Sequence, residues 1–595
     1  MNLLKAFLVA CLCLCHHVSG AAQSMSSLLQ SVPEPPSDIN ASAWKLRDAA
    51  EGAAYLAHVL VDDALPAHEI TIAQKQLRFT LDNLINRLAD GTWWTPASSI
   101  QGDPNVNRFV LTALLDALWI IRGEPDFSAS WGQWKSKLRS AMDFQIRAYR
   151  GEVAWDWGAK AGYSYPNQDV LHTLSLSISA RLFLDNFYAA EAEKAFLSLQ
   201  RNQMPGGGWH YIAGENESPI YHALVQAVLA RYVDITEDDR ARSMLGRSAA
   251  YWRTVLSAQG VAEAWSDVWW KQNWLPIPSA VVRTAAIAAN DSVLAAIAKK
   301  IFDRESQRAY RVTWADAYTY KWKKIQAPAY VAESATPLSI DVDQHGVHGR
   351  DGTWFFGVTK GRGLRNTFVG AMVESEDGVE PLVAAFRGAQ VVVTDSGAER
   401  GKYSLSQQND NVEISVRSNR ALLFAQYQLQ PARINGVPPP QDVDSPWSVR
   451  QLWSAGADGV MGTVELRAIR DNAAMSVTGR IPLGPCSVIP EGAATWRCGG
   501  MRVHIFESWG RTMINHVGAA YPSPVDRWDG IEWRADLNGV RAGDIFRYRV
   551  WVGPVSAKVP SAIEICLDGW IARWGNDKSL RVQFLDGSIK SSEKL

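Results

Sequence analysis

The stretch Gln326-Ala327-Pro328-Ala329-Tyr330-Val331-Ala332-Glu333-Ser334-Ala335-Thr336-Pro337 separates two textures of sequence. Proline lacks the amide hydrogen that a helix needs and clashes with the preceding turn, so Pro328 and Pro337 mark where helix stops. Upstream, from about residue 40 to 305, apolar residues recur at helical spacing in segments divided by short loops rich in Gly, Pro, Asn and Asp. Examples are Arg108 to Arg122, Trp131 to Arg150, Val170 to Asp185, Ala189 to Arg201, Pro219 to Asp234 and Asp239 to Ala258. Helices joined by such loops pack as antiparallel neighbours, which leaves a bundle, a solenoid or a closed α/α ring. No self-similar repeat is strong enough to support a regular solenoid.

Downstream, short runs rich in Val, Ile, Phe and Thr are broken by turns such as Glu376-Asp377-Gly378, Asp395-Ser396-Gly397 and Asp458-Gly459. This pattern predicts antiparallel strands. Segments such as Val391 to Thr394, Asn411 to Val416, Gly462 to Ile469, Met501 to Glu507 and Ile545 to Val552 recur often enough for a large sandwich. The expected organisation is an α+β multidomain chain with a helical domain over 24–325 and an antiparallel β-sandwich domain over 326–595.

Residues 1–23 follow an export pattern: Lys5, an apolar stretch from Ala6 to Cys15, then the small residues Ser19, Gly20, Ala21 and Ala22. They read as a signal peptide, so the expected location is secreted or periplasmic. Leu8-Val9-Ala10-Cys11 resembles a lipoprotein box but lies too near the start to follow a full apolar segment. Three of the six cysteines lie in this leader, leaving Cys486, Cys498 and Cys566. Export and short spacing favour a Cys486–Cys498 pair, with Cys566 a buried free thiol.

The 595 residues suffice for two or three domains, and 47% apolar with 20% charged residues is a globular composition. No apolar run of membrane-spanning length follows the leader, so no transmembrane anchor is expected. Sixty basic against 61 acidic residues argue against a nucleic-acid partner, whose phosphates call for a clear Lys/Arg excess.

Tryptophan points toward sugar. Of 26 tryptophans, sixteen lie between Trp44 and Trp322. Indole rings pack on the C–H faces of sugars while the N–H meets a hydroxyl, and the same residue also fills large helical cores. Trp93-Trp94, Trp155-Asp156-Trp157 and the run from Trp265 through Trp269 to Trp274 are candidate cleft walls, and the loop-located Trp155, Trp157 and Trp209 are the strongest of them.

Two stretches carry candidate chemistry. Trp155-Asp156-Trp157-Gly158 runs on to Tyr163-Ser164-Tyr165-Pro166-Asn167-Gln168-Asp169, ahead of a helix bearing His172. Gly206-Gly207-Gly208-Trp209-His210-Tyr211 is followed by Glu215-Asn216-Glu217-Ser218-Pro219-Ile220-Tyr221-His222. Ser218 before Pro219 fits an N-cap with proline at the first helical position, placing Tyr221 and His222 in the first turn.

The block from Glu217 to His222, with the order of the two halves, resembles the heparinase II/III-like polysaccharide lyases. The resemblance implies an N-terminal incomplete (α/α) toroid followed by a β-sandwich, acting on an acidic polysaccharide. It also implies an Asn that binds the uronate carboxylate, a Tyr in proton transfer and a His from the start of the β half. The matching positions are Asn167, Tyr221, and His345 or His348 in Asp343-Gln344-His345-Gly346-Val347-His348-Gly349-Arg350-Asp351-Gly352. His222 joins this catalytic set, and Trp155, Trp157, Gln168, Trp209, His210 and Trp269 are the expected substrate-binding residues.

The chemistry explains the residue types. Removing the weakly acidic C5 proton of a uronate puts charge on its carboxylate, which amide and imidazole donors stabilise best away from water. A Tyr or His takes the proton, and a tyrosine near its ordinary pKa needs cationic neighbours to do so. Simpler readings stand beside these: Asn167 as an N-cap, Tyr221 as a first-turn core aromatic, His172 as a core residue, and His345 and His348 as turn residues. No cofactor is required, and His345 with His348 is compatible with a structural divalent metal without supplying a third ligand. Two rival functions remain: a glycoside hydrolase using paired carboxylates among Asp156, Asp169, Glu215 and Glu217, and a non-catalytic glycan-binding or export protein.

Overall fold

The computed structural model describes residues 29–35, 43–88, 93, 104–152, 165–210, 218–263, 277–306, 312–330, 339–340, 346–359, 368–375, 382–386, 390–395, 402–404, 411–417, 419–431, 447–484, 486–509, 511–516 and 529–594. The leader, Trp155, Trp157, Trp269 and His345 lie outside these residues, as do Asp156, Glu215 and Glu217.

The first half contains α1 (Ala43–Asp62), α2 (Ala67–Asn86), α3 (Pro104–Ile120), α4 (Ser128–Tyr149), α5 (Pro166–Phe183), α6 (Asn186–Arg201), α7 (Pro219–Thr236), α8 (Asp239–Val255), α9 (Ser279–Ala289), α10 (Ser292–Glu305) and the short α11 (Trp314–Tyr318). Helices α5 and α7 are buried on every face, whereas α6 and α8 bury one stripe each. A helix apolar all round belongs inside, and one with a single apolar stripe lies against it. Accordingly α1, α3, α5, α7 and α9 pack side by side as an inner layer, with α2, α4, α6, α8 and α10 folded back outside them. Helix α11 touches α1, α7 and α9 and closes the ring. Lys324 secures the closure through Asp63 Oδ1 at 2.7 Å, and Trp322 Nε1 donates to Ala230 O at 3.1 Å. The helical hairpins thus form the expected toroid.

The two ends of the ring differ. Connections at 63–66, 121–127, 184–185, 237–238 and 290–291 are two to seven residues long; those at 87–103, 150–165, 202–218, 256–278 and 306–313 run from eight to 23. Three of the short ones are the same turn, with Leu184, Glu237 and Asn290 left-handed and Asp185, Asp238 and Asp291 each capping the next helix. The aspartates accept from Phe187 N, Arg240 N and Val293 N at 2.8–3.0 Å, which satisfies amides a helix start leaves unpaired.

At the short-loop end the interior is polar. Arg231 of α7 reaches Asp116 of α3 with contacts of 2.8–3.0 Å, past the intervening α5. His58 Nδ1 lies 2.8 Å from Asp62 Oδ2 and its ring stacks on Tyr320. Burial, together with the Arg231 charge, holds His58 below its ordinary pKa. Burial also pushes Asp234 up to about 7.

From Ser339 the described strands all pair antiparallel. An eleven-stranded and an eight-stranded sheet enclose one apolar core, as a sandwich should. A third, four-stranded sheet spans Ala562–Cys566, Gly569–Trp574, Lys578–Leu585 and Ser588–Lys594. It packs Trp570, Leu580 and Ile589 onto Phe424, Leu452 and Trp551 of the eight-stranded sheet. The expected sandwich is therefore a three-layered body. Cys486 and Cys498 form a disulfide with Cα atoms 5.4 Å apart, beside the pairing of Val488 with Cys498. Cys566 is half-buried, which corrects its expected burial, because it lies at the turn between two strands of the outer sheet. Among the described residues, no helix is long and apolar enough to cross a membrane.

Candidate functional site

Inner helices of successive hairpins run the same way, so α3, α5, α7 and α9 all start at the long-loop end. Their unpaired amides and positive dipole ends converge there, an arrangement that favours anions.

Helix α5 begins with Tyr165 in the cap position and Pro166 as its first residue. Asn167 therefore lies inside the first turn, which corrects the reading of it as an N-cap. Asp169 does that work: its Oδ2 accepts from Tyr165 N at 3.1 Å and its Oδ1 from Tyr149 OH at 3.3 Å. The Asn167 side chain is left with a buried Oδ1 that has no hydrogen-bond partner among the described residues. Gln168 Oε1 is in the same condition. A buried amide oxygen without a donor costs about 1–3 kcal/mol, so such a group is expected to have a ligand or a purpose.

Behind Asn167, His172 stacks on Tyr149 with ring centres 3.7 Å apart and lies 3.0 Å from Gln145 Nε2. Burial and the nearby Arg108 guanidinium hold it well below its ordinary pKa, so it is neutral. Arg108, in the first turns of α3, is buried and sits 4.5 Å from the Tyr149 ring centre. Sequence reasoning missed it. The available signal was a lone arginine between Asn107 and an otherwise apolar helix face.

Helix α7 opens as expected, with Ser218 in the cap conformation and Pro219 first, although the Ser218 hydroxyl does not close the cap. Tyr221 is half-buried in the first turn. His222 is buried among Trp209, Tyr251 and Trp252, with ring centres 4.1–5.1 Å away. Burial drops its pKa to about 3, so it stays neutral at any physiological pH. Trp209 is itself buried, 1% exposed, with Nε1 donating to Leu199 O at 3.4 Å, and it packs on His222 rather than forming a surface. His210, next along, is half-buried.

Two successive long connections begin with the same hairpin. Met204 N bonds Gly208 O as Ser257 N bonds Val261 O, and Gly207 N bonds Met204 O as Gly260 N bonds Ser257 O. Both glycines have positive φ, and a Cβ on Gly207 would meet Arg247 O at 2.0 Å, so only glycine fits there. The register puts Glu263 where the earlier hairpin has His210.

Glu263 meets the sheet half. Its Oε2 lies 2.6 Å from Nδ1 of His348, and both side chains are almost wholly buried. His348 is thus a strand residue, within Gly346–Asp351, rather than part of a turn. Two further contacts flank this pair. Arg350 Nη2 donates to Arg253 O at 2.5 Å and to Leu256 O, covering carbonyls at the end of α8. Ser257 Oγ donates to Glu374 Oε1, and burial pushes Glu374 up to about 7. The residues 256–263 therefore join the sheet half to the long-loop end of the ring. Glu263, like Arg108, was not foreseen. Among the described residues, no group of three His, Cys, Asp or Glu is placed to hold a metal.

By sequence, no family model and no curated protein matches this chain. By fold, 94% of it is similar to 84% of heparinase III, with a TM-score of 0.48 and 11% identity. A xanthan lyase from Paenibacillus is matched over 94% of this chain and 62% of that one, at a TM-score of 0.49 and 8% identity. An endoglucanase from the termite Nasutitermes takasagoensis is matched over 43% of this chain and 63% of that one, at a TM-score of 0.29 and 16% identity. Such identities concern the path of the chain and assign no residue a role. A helical toroid followed by antiparallel sheets is the architecture that the resemblance to heparinase II/III-like lyases implies.

Proposed function

We propose that the chain is an exported polysaccharide lyase that cleaves a uronic-acid polymer by β-elimination at the long-loop end of the ring. One observation carries the reading: the neighbouring helices α5 and α7 start with Asn167 and Tyr221 at the same end, and His348, clamped by Glu263, reaches that end from the sheet half.

In this reading the Asn167 amide and His348 donate to the uronate carboxylate, where charge builds as the C5 proton leaves. Their burial suits the role, because donors aimed at developing charge act most strongly where water is excluded. Tyr221, reachable because it is only half-buried, takes the C5 proton as phenolate. The C5–H electron pair becomes the C4=C5 double bond, the C4–O4 bond breaks, and the Tyr221 hydroxyl returns the proton to O4. The phenolate is regenerated, so atoms and charge balance. The positive potential it needs comes from the convergent helix starts. His222, neutral inside its aromatic cage, supports the wall at Tyr221. Asp169, a candidate acid for a hydrolase, is taken up by Tyr149 and Tyr165 N.

The test is incubation with a panel of uronic-acid polymers while following the ultraviolet absorbance of the conjugated C4=C5 product. Tyr221→Phe is expected to lower turnover roughly 10²- to 10⁴-fold with unchanged thermal unfolding. New reducing ends without that absorbance mean hydrolysis and overturn elimination. Binding with neither signal overturns catalysis in favour of a glycan-binding role.

A further inference from the structure

The hairpin that carries Glu263 is a socket for the sheet half. Its neck is closed by Glu263 N on Val255 O and Ser257 N on Val261 O, both at 2.9 Å, and Ser257 Oγ accepts from Val261 N at 3.0 Å. The hairpin is seated on α10. Lys300 Nζ donates to Ala258 O at 3.0 Å, and Gly260, with φ at 78°, lies against Ile301 so closely that a Cβ there would collide with it. It therefore belongs to the ring and moves with it.

Three side chains of the sheet half grip this one hairpin: His348 through Glu263, Arg350 through Arg253 O and Leu256 O, and Glu374 through Ser257 Oγ. Alternate residues of a strand share a face. Val347 lies in the sandwich core, so His348 and Arg350 both face the ring. Across the neighbouring strands Arg350 pairs with Phe355, and Phe355 with Met372; both apolar residues are buried, yet neither belongs to the sandwich core. The ring-facing patch thus has an apolar centre with polar grips around it. The Arg350 guanidinium lies 5.0 Å from the Phe355 ring centre, and it meets the carbonyl end of α8, where the helix dipole favours a cation.

We infer that Arg350 is a positioning residue for His348: by tying their shared strand to the end of α8, it holds the imidazole at Glu263 and at the long-loop end of the ring. The two residues are about 7 Å apart along the strand at roughly 3.3 Å per residue, so anchor and imidazole sit on one short piece of backbone. A strand held through His348 alone could pivot about that contact; the second grip fixes its direction. The kinetic consequence rests on the elimination reading, whereas the hold on His348 rests on geometry and is measured without turnover.

The experiment uses the full chain, elimination kinetics on polyglucuronate and polymannuronate, and histidine-selective NMR with the His348 resonance assigned by its loss in His348→Gln. Arg350→Ala should lower kcat roughly 10- to 100-fold with KM nearly unchanged, and should move the His348 resonance. Arg350→Lys keeps the charge but not the guanidinium fork, so it should recover part of both, and it carries the test if the alanine variant does not fold. In a Glu263→Gln background Arg350→Ala should cost far less than in the parent, because both changes act through one imidazole; losses that multiply overturn the proposal. Asp238→Ala, which uncaps the opposite end of α8, should leave kcat and the resonance where they were. An equal change there means general loosening and overturns the proposal, as does a His348 resonance unmoved in both Arg350 variants. If the parent eliminates neither polymer, it is the elimination reading that fails on them, and the resonance alone decides whether Arg350 holds His348.

Discussion

Glu263 shows how much a single side chain is asked to do. It is a buried carboxylate whose partner, His348, comes from the other half of the molecule at 2.6 Å. A carboxylate at Nδ1 sets the ring's tautomer and orientation and stabilises the imidazolium. Glu263→Gln keeps the shape and removes the charge, so kcat should fall about tenfold or more, KM should change little, and the pH dependence of kcat should move. Glu263→Ala should in addition lower stability by about 1–3 kcal/mol, because it strands a buried imidazole. A glutamine variant with the parent pH profile means that the pair is a clamp and nothing more. The sequence around it, Val261-Ala262-Glu263-Ala264-Trp265, contains no other charge and does not reveal a partner 85 positions away at His348. The place of Tyr221 in a first turn was legible because the Ser218-Pro219 start fixes it locally, whereas Asn167, readable as a cap, lies inside the first turn; the contacts of Glu263 and Arg108 were not legible, because they come from tertiary neighbours.

At the level of elements, periodicity found the helices within a few residues. Pro219 was placed as the first residue of α7, and the strand from Met501 to Glu507 was bounded as observed. What periodicity did not show was the ring's asymmetry. The repeated two-residue turns ending in Asp185, Asp238 and Asp291 are brief, and the matching hairpins at 204–208 and 257–261 share only a glycine and backbone hydrogen bonds. Repetition here lies in conformation more than in residue type. The same holds for the tie between α3 and α7. Arg231 and Asp116 are 115 positions apart and both buried, and nothing local in either helix asks for a charge. Removing Asp116 leaves Arg231 with only the longer contact to Asp234 at 3.8 Å inside the ring, so Asp116→Ala should cost about 3–5 kcal/mol. Asp116→Leu/Arg231→Met, which removes both charges, should recover much of that loss. Chemical denaturation measures both. A double variant no more stable than Asp116→Ala would mean that the pair's geometry, rather than the stranded charge, holds α3 to α7.

For the whole molecule, the junction between the two halves couples stability to pH. Glu374 of the sheet half bonds Ser257 of the ring, and burial outweighs the opposing charges of Arg304 and Arg350 to raise its pKa from 4.5 to about 7. The folded state therefore binds a proton at Glu374 that the unfolded chain has released between about pH 4.5 and 7. Because stability falls with pH wherever the native state holds more protons, this group favours folding below its unfolded pKa and ceases to do so as pH rises through 7. Glu51 and Asp234, also raised to about 7 by burial, add the same slope. Asp62, held low chiefly by its hydrogen bond to His58, acts in the opposite sense: its contribution is present above about pH 4 and is lost as pH falls through its folded pKa. The melting temperature should accordingly pass through a maximum in mildly acidic solution, decline as pH rises to about 7 and level off above it. Glu374→Gln cannot ionise and keeps an oxygen for Ser257, so it should flatten the decline between about pH 4.5 and 7, by at most ~3 kcal/mol for a shift of this size. It should leave the acid limb where it was. Calorimetry of parent and variant between pH 5 and 9 reads this difference. Parallel curves across that range would mean that Glu374 stays charged at the junction, and that Arg304 and Arg350 outweigh its burial.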